Sequence, residues 1–285
     1  MKPMQTCDPF PLPHGIAVVT GAGGAICGAM ARALGAIGIR IVALDLREEA
    51  ARATAESVVA LGGQALAFGC SVLDEAALSA VYQEAVAKWG PPDFLVNGAG
   101  GNNPKASTEV EFLETSAADW ENALSFLNMD MEGFEQTLRL NFMGTVLPSK
   151  VFSRGMVAKG QGAIVNIASM NSVVPLTKIP AYSAGKAAVA NFTKWLAVHF
   201  SHVGVRVNAI APGFVMTEQL AFLHRDAATG DYTPRAKRTI AHTPMGRYAE
   251  PDELVGTLIW LLSDASRFVT GDVIPIDGGF SSYTI

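Results

Sequence analysis

Apolar residues along this chain form short continuous runs that alternate with longer amphipathic stretches. The first run, Ile16–Thr20, is apolar and β-branched, which predicts a buried strand. A glycine-rich turn at 21–28 and a helical pattern through about residue 37 follow it. The next run, at 39–44, predicts a second buried strand that Asp45 closes. The chain therefore begins as strand, turn, helix and strand.

The same alternation continues to the end of the sequence. The remaining predicted strands are 65–68, 93–96, 163–168, 205–210 and Val273–Ile276. The remaining predicted helices are 48–61, 74–89, 134–159, one that carries Tyr182 and Lys186, and one that begins at Pro251. Continuous apolar strands separated by amphipathic helices indicate a parallel sheet that is covered on both faces. We therefore predict an α/β fold, a single-domain, Rossmann-type doubly wound parallel sheet of about seven strands flanked by helices.

Two stretches interrupt this alternation. Residues 100–132 contain two asparagines and a proline followed by an acidic, aromatic-bearing stretch, and we interpret them as an insertion near a site. Residues 213–250 have little apolar periodicity and are predicted to form a mobile lid. We found no internal repeat or interdomain linker. We therefore expect residues 1–14 to be an N-terminal extension and residues 15–285 to form one domain.

Composition narrows the classes of function. The 285 residues carry a formal net charge of −5 without a lysine- or arginine-rich run, which argues against a nucleic-acid surface or a membrane anchor. No uncharged apolar stretch is long enough to span a bilayer, and the N-terminus lacks the apolar core of a signal peptide. Cys7, Cys27 and Cys70 are too widely spaced to predict a disulfide framework or a metal site. We expect a cytoplasmic protein without a metal.

The glycines of the first turn predict a phosphate-binding site. Gly21, Gly23 and Gly24 lie where the backbone can approach a pyrophosphate and the helix N-terminus can bind its charge. On their own, these glycines fit an ordinary tight turn equally well. Asp45 favours a dinucleotide, because its carboxylate can accept hydrogen bonds from both ribose hydroxyls and repel a 2′-phosphate, as NAD(H) requires. Arg47 can neutralise such a phosphate and leaves NADP(H) as the alternative.

A second group of residues indicates proton transfer. Tyr182 and Lys186 are four residues apart in a predicted helix, so their side chains lie on one face, one turn apart. An adjacent ammonium stabilises a phenolate, which predicts a lowered pKa for Tyr182. Ser169 can hold a substrate oxygen beside the tyrosine while hydride arrives from elsewhere. Taken alone, this spacing also fits a surface tyrosine beside a solvated lysine.

Together these motifs resemble those of the short-chain dehydrogenase/reductase family, from about Gly15 to the C-terminus. The motifs are Thr20-Gly21-Ala22-Gly23-Gly24-Ala25-Ile26-Cys27, Asn97-Gly98-Ala99-Gly100, Asn141, Ser169, Tyr182 with Lys186, Pro212-Gly213 with Thr217, and Asp277-Gly278-Gly279. Their order and spacing make the resemblance specific. It implies the sheet order 3-2-1-4-5-6-7 and assembly as a homotetramer or homodimer.

The resemblance also implies roles for individual residues. Tyr182 is the expected general acid and base, and Lys186 is expected to bind the nicotinamide ribose and lower the pKa of the tyrosine. Ser169 is expected to orient the substrate oxygen and Asn141 to hold a water in a proton relay. Without the family, Asn141 also fits a helix-interior residue bonded to backbone. The residues expected to contact the cofactor are Gly21, Gly23, Gly24, Ala25, Ile26, Asp45, Ser71, Val72, Asn97, Ala99, Gly100, Tyr182, Lys186, Pro212, Gly213, Val215 and Thr217.

Several positions depart from the family pattern. Ala25 and Cys27 stand where the family turn usually has glycine, and we expect these small residues to preserve the packing of the turn. Ser71 replaces the aspartate usually found near the adenine, so a hydroxyl and backbone groups would hold that ring. Gly98 replaces an asparagine. None of these positions belongs to the expected catalytic group.

The loop at 100–105 offers candidates for contact with a substrate, because it follows the fourth strand and should rise over the nicotinamide. The amides of Asn102 and Asn103 and the ammonium of Lys105 suit a polyhydroxylated anion, although a solvated polar loop also fits. Asn171 is a further candidate, and His242 or Arg247 from the lid can complete the pocket.

This loop resembles that of the D-mannonate oxidoreductase (fructuronate reductase) subgroup. We therefore predict an NAD-dependent oxidoreductase that interconverts a secondary alcohol and a ketone on a sugar acid such as D-mannonate or D-fructuronate. A gluconate 5-dehydrogenase-like or other polyol or keto-acyl reductase is the alternative. An alternative of another class is a dinucleotide-sensing module without turnover, which would need the glycine turn but not Tyr182.

Overall fold

The centre of the molecule is a sheet of seven parallel strands. They are β1 Ile16–Thr20, β2 Arg40–Asp45, β3 Ala65–Gly69, β4 Phe94–Asn97, β5 Gly162–Ile167, β6 Val205–Pro212 and β7 Val273–Ile276. Their order in the sheet is β3-β2-β1-β4-β5-β6-β7. The predicted strands and their predicted order are thus confirmed, with ends that differ by one or two residues.

The computed structural model describes residues 12, 14–115, 123–217, 220, 224–226 and 229–284. Most of the predicted N-terminal extension, the middle of the predicted insertion and part of the predicted lid therefore lie outside the described residues. The helices are α1 Ala25–Ala36, α2 Glu48–Ala60, α3 Glu75–Trp89, α4 Met131–Lys159, α5 Pro180–Phe200, α6 Pro234–His242 and α7 Val255–Leu262. Within this described part of the chain, none of the helices has both the length and the apolar character needed to cross a membrane.

Helix α6 lies within residues 213–250, the segment that is predicted to form a mobile lid. Thr233 begins the helix by accepting a hydrogen bond from the N–H of Ala236, at 3.3 Å. Ala236 is buried, whereas Arg235, Lys237 and Arg238 are exposed. The helix therefore offers too few apolar positions for its periodicity to be visible in the sequence.

The strands are apolar on both faces because helices cover both sides of the sheet. Successive strand residues point to opposite faces. Val19 is buried in one cluster with Leu34 of α1 and Leu258 of α7. Val18 is buried in the other cluster, with Phe152 of α4 and Leu196 of α5. Burial of each such side chain contributes about 1.5–3 kcal/mol relative to its exposure. This arrangement is the predicted doubly wound fold.

Buried polar side chains join the central strands to two of the helices. Asn97, at the end of β4, donates from Nδ2 to Oδ1 of Asn166 in β5 (2.9 Å) and to Oγ of Ser149 in α4 (2.8 Å). Asn166 donates in turn to Oγ1 of Thr193 in α5, at 2.9 Å. Since buried polar groups are costly to leave unpaired, this chain of bonds fixes α4 and α5 against the sheet.

Candidate active site

The residues expected to transfer protons come together at the carboxyl edge of the sheet. Ser169 follows β5, Tyr182 and Lys186 lie one turn apart in α5, and Asn141 lies in α4. Ser169 lies near enough to the phenol of Tyr182 to lower its pKa. The Lys186 Nζ atom lies 5.7 Å from the centroid of the tyrosine ring. Ser169, Lys186 and Asn141 are all buried, whereas Tyr182 is partly buried. The three elements thus place these side chains around one point.

The first residues after β4 complete this group. A Cβ atom at Gly100 would lie 2.6 Å from Oδ1 of Asn141 and 3.3 Å from Nζ of Lys186, so only hydrogen fits there. Asn141 donates from Nδ2 to the carbonyl of Gly101 (2.7 Å), and its Oδ1 accepts from the N–H of the same residue (3.3 Å). Lys186 donates to the carbonyl of Ile167, at 2.7 Å. Asn141 therefore holds the start of the insertion against α4, beside Lys186 of α5.

The predicted lowering of the tyrosine pKa is not what the structure shows. Burial raises the pKa of Tyr182 above its usual value, and the hydrogen bond from Ser169 opposes this only in part. Burial also lowers the pKa of Lys186 to about 8, with the Cys27 thiol opposing the change. The ammonium of Lys186 faces a backbone carbonyl and the tyrosine ring, and desolvation of the charged form is the largest cause of both pKa shifts. Tyr182 is consequently a proton donor at neutral pH.

The glycine turn has the geometry of a phosphate cradle. Gly21 has a φ of 67°, in the left-handed region, and a Cβ atom there would lie 2.9 Å from Cα of Ala99. Helix α1 begins after Gly24 without a side-chain cap and without an acidic residue in its first turn. The N–H groups of its first turn, at Ala25 and Ile26, are therefore available to an anion that the helix dipole favours. A dinucleotide pyrophosphate fits this donor set.

Asp45 ends β2 beside this turn. Its Oδ2 accepts from the N–H of Gly23 (3.0 Å), and its Oδ1 accepts from the N–H of Arg47 (3.1 Å). A carboxylate offers about four acceptor positions, so Asp45 retains capacity for two ribose hydroxyls. The Arg47 side chain is exposed, and no carboxylate pairs with it in the part of the chain that the structure describes.

The remaining candidate cofactor residues border the same edge. Thr20, the last residue of β1, joins this edge to β4, because its Oγ1 accepts from the N–H groups of Gly98 (3.0 Å) and Ala99 (3.2 Å). Ser71 accepts from the N–H of Leu73 at 3.2 Å. Val72 follows β3, Pro212 ends β6, and Gly213, Val215 and Thr217 follow β6. All of them therefore lie at the carboxyl edge of the sheet. The structure thus brings the predicted cofactor residues to one rim.

The two asparagines of the substrate loop already bond to the protein. Asn103 caps the 3-10 turn Pro104–Ala106 by accepting from the N–H of Lys105 (3.0 Å), and its Nδ2 donates to Gln136 (3.4 Å). Asn102 donates to Oγ of Ser107 at 2.8 Å. The ammonium of Lys105 is exposed and has no carboxylate partner among the described residues. Of the three, Lys105 has the most capacity left for a ligand.

The two lid candidates, Arg247 and His242, and the candidate Asn171 differ in whether other protein groups already engage their side chains. Arg247 forms a bidentate ion pair with Glu253, with both N–O distances 2.7 Å. His242 packs its ring edge-on against Phe280, with centroids 4.6 Å apart. Asn171 is buried beside Ser169, donates to Ser183 at 3.3 Å, and has an Oδ1 without a hydrogen-bond partner. The structure therefore engages both lid residues elsewhere and keeps Asn171 next to Ser169.

Lys178 is a residue that the sequence reasoning missed. It is the one non-glycine residue of the described chain with a positive φ, of 73°. Its carbonyl accepts from the N–H of Thr108, and its Nζ donates to the carbonyl of Glu109, both at 2.8 Å. From the other side, Arg238 of α6 pairs with Glu111 at 3.0 Å. Residues 108–111 of the insertion thus contact both the loop before α5 and the lid, which no local pattern in the sequence signals.

Comparisons with known proteins agree with this geometry. The sequence model described as short chain dehydrogenase matches residues 15–228. The chain is 44% identical over 274 residues to a Haemophilus influenzae protein named as an uncharacterized oxidoreductase, a match that covers 96% of this chain and 95% of that one.

Two solved structures extend the comparison. One is a proposed D-mannonate oxidoreductase from Haemophilus influenza with bound NAD, with a TM-score of 0.91 and 44% identity over 96% of this chain and 98% of that chain. The other is a gluconate 5-dehydrogenase from Burkholderia cenocepacia in complex with NADP and tartrate, with a TM-score of 0.81 and 31% identity over 97% and 99% of the two chains.

Fold, residues and relatives therefore agree on one class of enzyme. The protein is an oxidoreductase that acts on alcohol groups and uses a nicotinamide dinucleotide. The chain belongs to the short-chain dehydrogenase family.

Proposed function

We propose that this protein catalyses the NAD-dependent interconversion of a secondary alcohol and a ketone on a sugar acid such as D-mannonate or D-fructuronate. The observation that carries the proposal is the position of residues 98–100. They contact the glycine turn at Gly21 on one side, and Asn141 and Lys186 on the other. A dinucleotide in the turn would therefore extend towards Tyr182, as hydride transfer with protonation requires.

Each catalytic residue has a separate task in this proposal. A bound nicotinamide supplies a hydride to the carbonyl carbon of the substrate during reduction. Ser169 holds the carbonyl oxygen beside Tyr182, which donates its phenolic proton to that oxygen and so completes the alcohol. Tyr182 regains a proton from solvent through a water held at Asn141, and the Lys186 ammonium binds the nicotinamide ribose and stabilises the transient phenolate. In the oxidation direction, the proton and hydride move the other way.

The preference for NAD(H) over NADP(H) rests on Asp45. Its carboxylate is fixed by two backbone N–H groups at the end of β2. The negative charge of the Asp45 carboxylate would repel a 2′-phosphate placed beside it. The solved relative with 44% identity contains NAD, whereas the gluconate 5-dehydrogenase contains NADP, so the preference has to be measured for this chain.

The sugar-acid assignment rests on the loop after β4. Lys105 presents an exposed ammonium, which suits the carboxylate of a sugar acid, and the hydrogen bonds of Asn102 and Asn103 hold the loop that carries it. The proposed activity of the D-mannonate oxidoreductase relative supports the same class of substrate. The relative crystallised with tartrate keeps a gluconate 5-dehydrogenase-like reaction as the second candidate.

The test is a substrate screen that follows NADH absorbance over keto and hydroxy sugar acids, polyols, steroids and acyl thioesters. We expect the highest kcat/KM with D-fructuronate in reduction or D-mannonate in oxidation. The Tyr182→Phe variant should retain NADH binding and lose most turnover, which a non-catalytic sensor would not show. Steroids or neutral polyols as far better substrates would contradict the sugar-acid assignment, and equal activity of the variant would contradict the role of Tyr182.

We further infer that the chain assembles as a homotetramer or homodimer. Phe192, Trp195 and His199 of α5 form a continuous ring stack, with centroids 6.0 and 4.9 Å apart. Trp195 is 57% exposed and the neighbouring Val198 is 74% exposed, which is unusual for an apolar helix face unless another surface covers it. Sedimentation velocity measures the assembly directly. A cytoplasmic location remains a prediction from the sequence.

A further inference from the structure

We propose that Lys178 is a specificity-determining residue whose ammonium binds the carboxylate of the substrate. The inference rests on the proposed function and adds a second cation to it. It starts from the position of Lys178 in the chain, between Ser169 and Tyr182. The loop that contains it begins at the carboxyl edge of the sheet and ends where α5 begins.

Both ends of this loop are fixed to the catalytic helix. Ser172 donates from Oγ to the carbonyl of Lys186 at 2.9 Å. Ser183 donates from its N–H to the carbonyl of Ile179 at 3.1 Å. The position of Lys178 relative to Tyr182 is therefore set by hydrogen bonds on either side of it. A ligand that reaches the tyrosine from the insertion side would pass this loop.

The backbone of Lys178 is strained. A φ of 73° is unfavourable for a residue with a side chain, and such conformations persist where surrounding contacts over-determine them. Here the contacts are those to Thr108 and Glu109, each at 2.8 Å, which tie the loop to the insertion. Glycine would adopt this φ without strain, so lysine at this position indicates a use for its side chain.

The ammonium of Lys178 is available to a ligand, because no carboxylate pairs with it among the described residues. An ammonium has three N–H donors, and the one acceptor that Lys178 has among the described residues is an uncharged carbonyl. The carboxylate of Glu109 accepts instead from the N–H of Leu124, at 3.1 Å. Arg238 and Arg247, in contrast, are each paired with a glutamate.

Burial distinguishes Lys178 from Lys105, which also has no carboxylate partner among the described residues. Lys178 is partly buried, whereas Lys105 is exposed. A carboxylate loses hydration when it enters a cleft, and a partly buried ammonium compensates for that loss better than a solvated one. The geometry therefore favours Lys178 as the residue that holds the anion, with Lys105 nearer to solvent on the insertion.

The experiment compares Lys178→Met with wild type for the reduction of D-fructuronate and of D-fructose, its neutral counterpart, by NADH. Methionine keeps the length of the stem and removes the charge. We expect KM for D-fructuronate to rise about 10-fold or more, with little change in KM for NADH or in the kinetics with D-fructose. Lys178→Arg should restore most of the loss. Lys88→Met, which removes a lysine from the last turn of α3, serves as the matched control.

Two further comparisons separate charge from backbone shape. Lys178→Gly relieves the strain as well as removing the charge, so its KM for D-fructuronate should match that of Lys178→Met while its melting temperature is equal or higher. An equal loss with D-fructuronate and D-fructose, or no loss at all, would overturn the inference. A wild type that is active on neutral polyols and inactive on every sugar acid would instead refute the proposed function itself.

Discussion

The sulfur of Cys27 occupies the space in which a side chain at position 98 would begin. A Cβ atom added to Gly98 would lie 1.9 Å from Sγ of Cys27. Both positions depart from the family pattern, Cys27 by being larger and Gly98 by being smaller than the usual residue. Burial raises the pKa of the Cys27 thiol to about 12, so at neutral pH it is an uncharged packing group. The two departures therefore compensate each other.

This relationship predicts a coupled effect on stability. Gly98→Ala should lower the free energy of unfolding by about 1–3 kcal/mol, because the added methyl group would overlap the buried sulfur of Cys27. The same substitution should cost much less in a Cys27→Ala background, where no sulfur opposes it. Urea denaturation of the four proteins in this cycle measures the coupling. An equal loss of unfolding free energy in both backgrounds would mean that the Cys27 side chain can shift at negligible energetic cost.

The raised pKa of Tyr182 predicts the pH dependence of reduction. A phenol whose pKa is raised stays protonated through neutral pH, so kcat/KM for D-fructuronate should hold there. It should fall above pH 8, first as the Lys186 ammonium loses its proton and then as Tyr182 ionises. The reverse oxidation needs the phenolate and should become faster over the same rise. Steady-state rates in both directions, corrected for NADH stability, show the two profiles. If the reduction rate already falls near neutral pH, bound cofactor and Lys186 lower the pKa as the sequence alone predicted.

Lys186 predicts a second, thermodynamic effect of pH. Its pKa is about 8 in the folded protein and about 10.4 in an unfolded chain, so between these values the unfolded state binds more protons. Burial of the charged Lys186 ammonium destabilises the folded protein below pH 8. This destabilisation is relieved as pH rises and the folded protein loses that proton. The free energy of unfolding of wild type relative to Lys186→Met should therefore rise by about 2–3 kcal/mol between pH 7 and 10. Chemical denaturation at several pH values measures this difference, and a flat or falling difference would contradict the assignment.

Asp45 predicts the cofactor preference. Wild type should show a higher kcat/KM with NADH than with NADPH, because the carboxylate repels a 2′-phosphate. Asp45→Ala should narrow or invert this ratio. Asp45→Asn is the matched control, since it removes the charge while keeping an acceptor for the Gly23 N–H. A wild-type preference for NADPH would show that the exposed Arg47 determines the choice.

Lys105 predicts an effect on substrate binding alone. If its ammonium contacts the substrate carboxylate, Lys105→Ala should raise KM for D-fructuronate by about 10-fold and leave the affinity for NADH unchanged. The double variant with Lys178→Met tests whether the two cations act on the same group, because shared binding makes their effects non-additive. Unchanged kinetics for Lys105→Ala would mean that the loop after β4 covers the cleft without binding the substrate carboxylate.

The sequence predicted most of the fold because the signals are local. Each strand is a continuous apolar run, and Tyr182 and Lys186 belong to one helix, so their spacing alone places them together. The contacts of Lys178 depend instead on two loops distant in sequence, and its positive φ follows from those contacts. The direction of the Tyr182 pKa shift depends on burial, which the spacing of a tyrosine and a lysine does not reveal. The compensation between Cys27 and Gly98 likewise requires the approach of β4 to the glycine turn.

The convergence of three segments on residues 108–111 bears on how the enzyme can acquire new substrates. The insertion, the loop before α5 and helix α6 follow consecutive strands and share anchoring contacts through Lys178 and Arg238. A chimera that imports only the insertion from a relative would lose its partners on both sides. A change of substrate during evolution would then require correlated substitutions in all three segments. Libraries for redesign should therefore vary residues 108–111, Lys178 and Arg238 together.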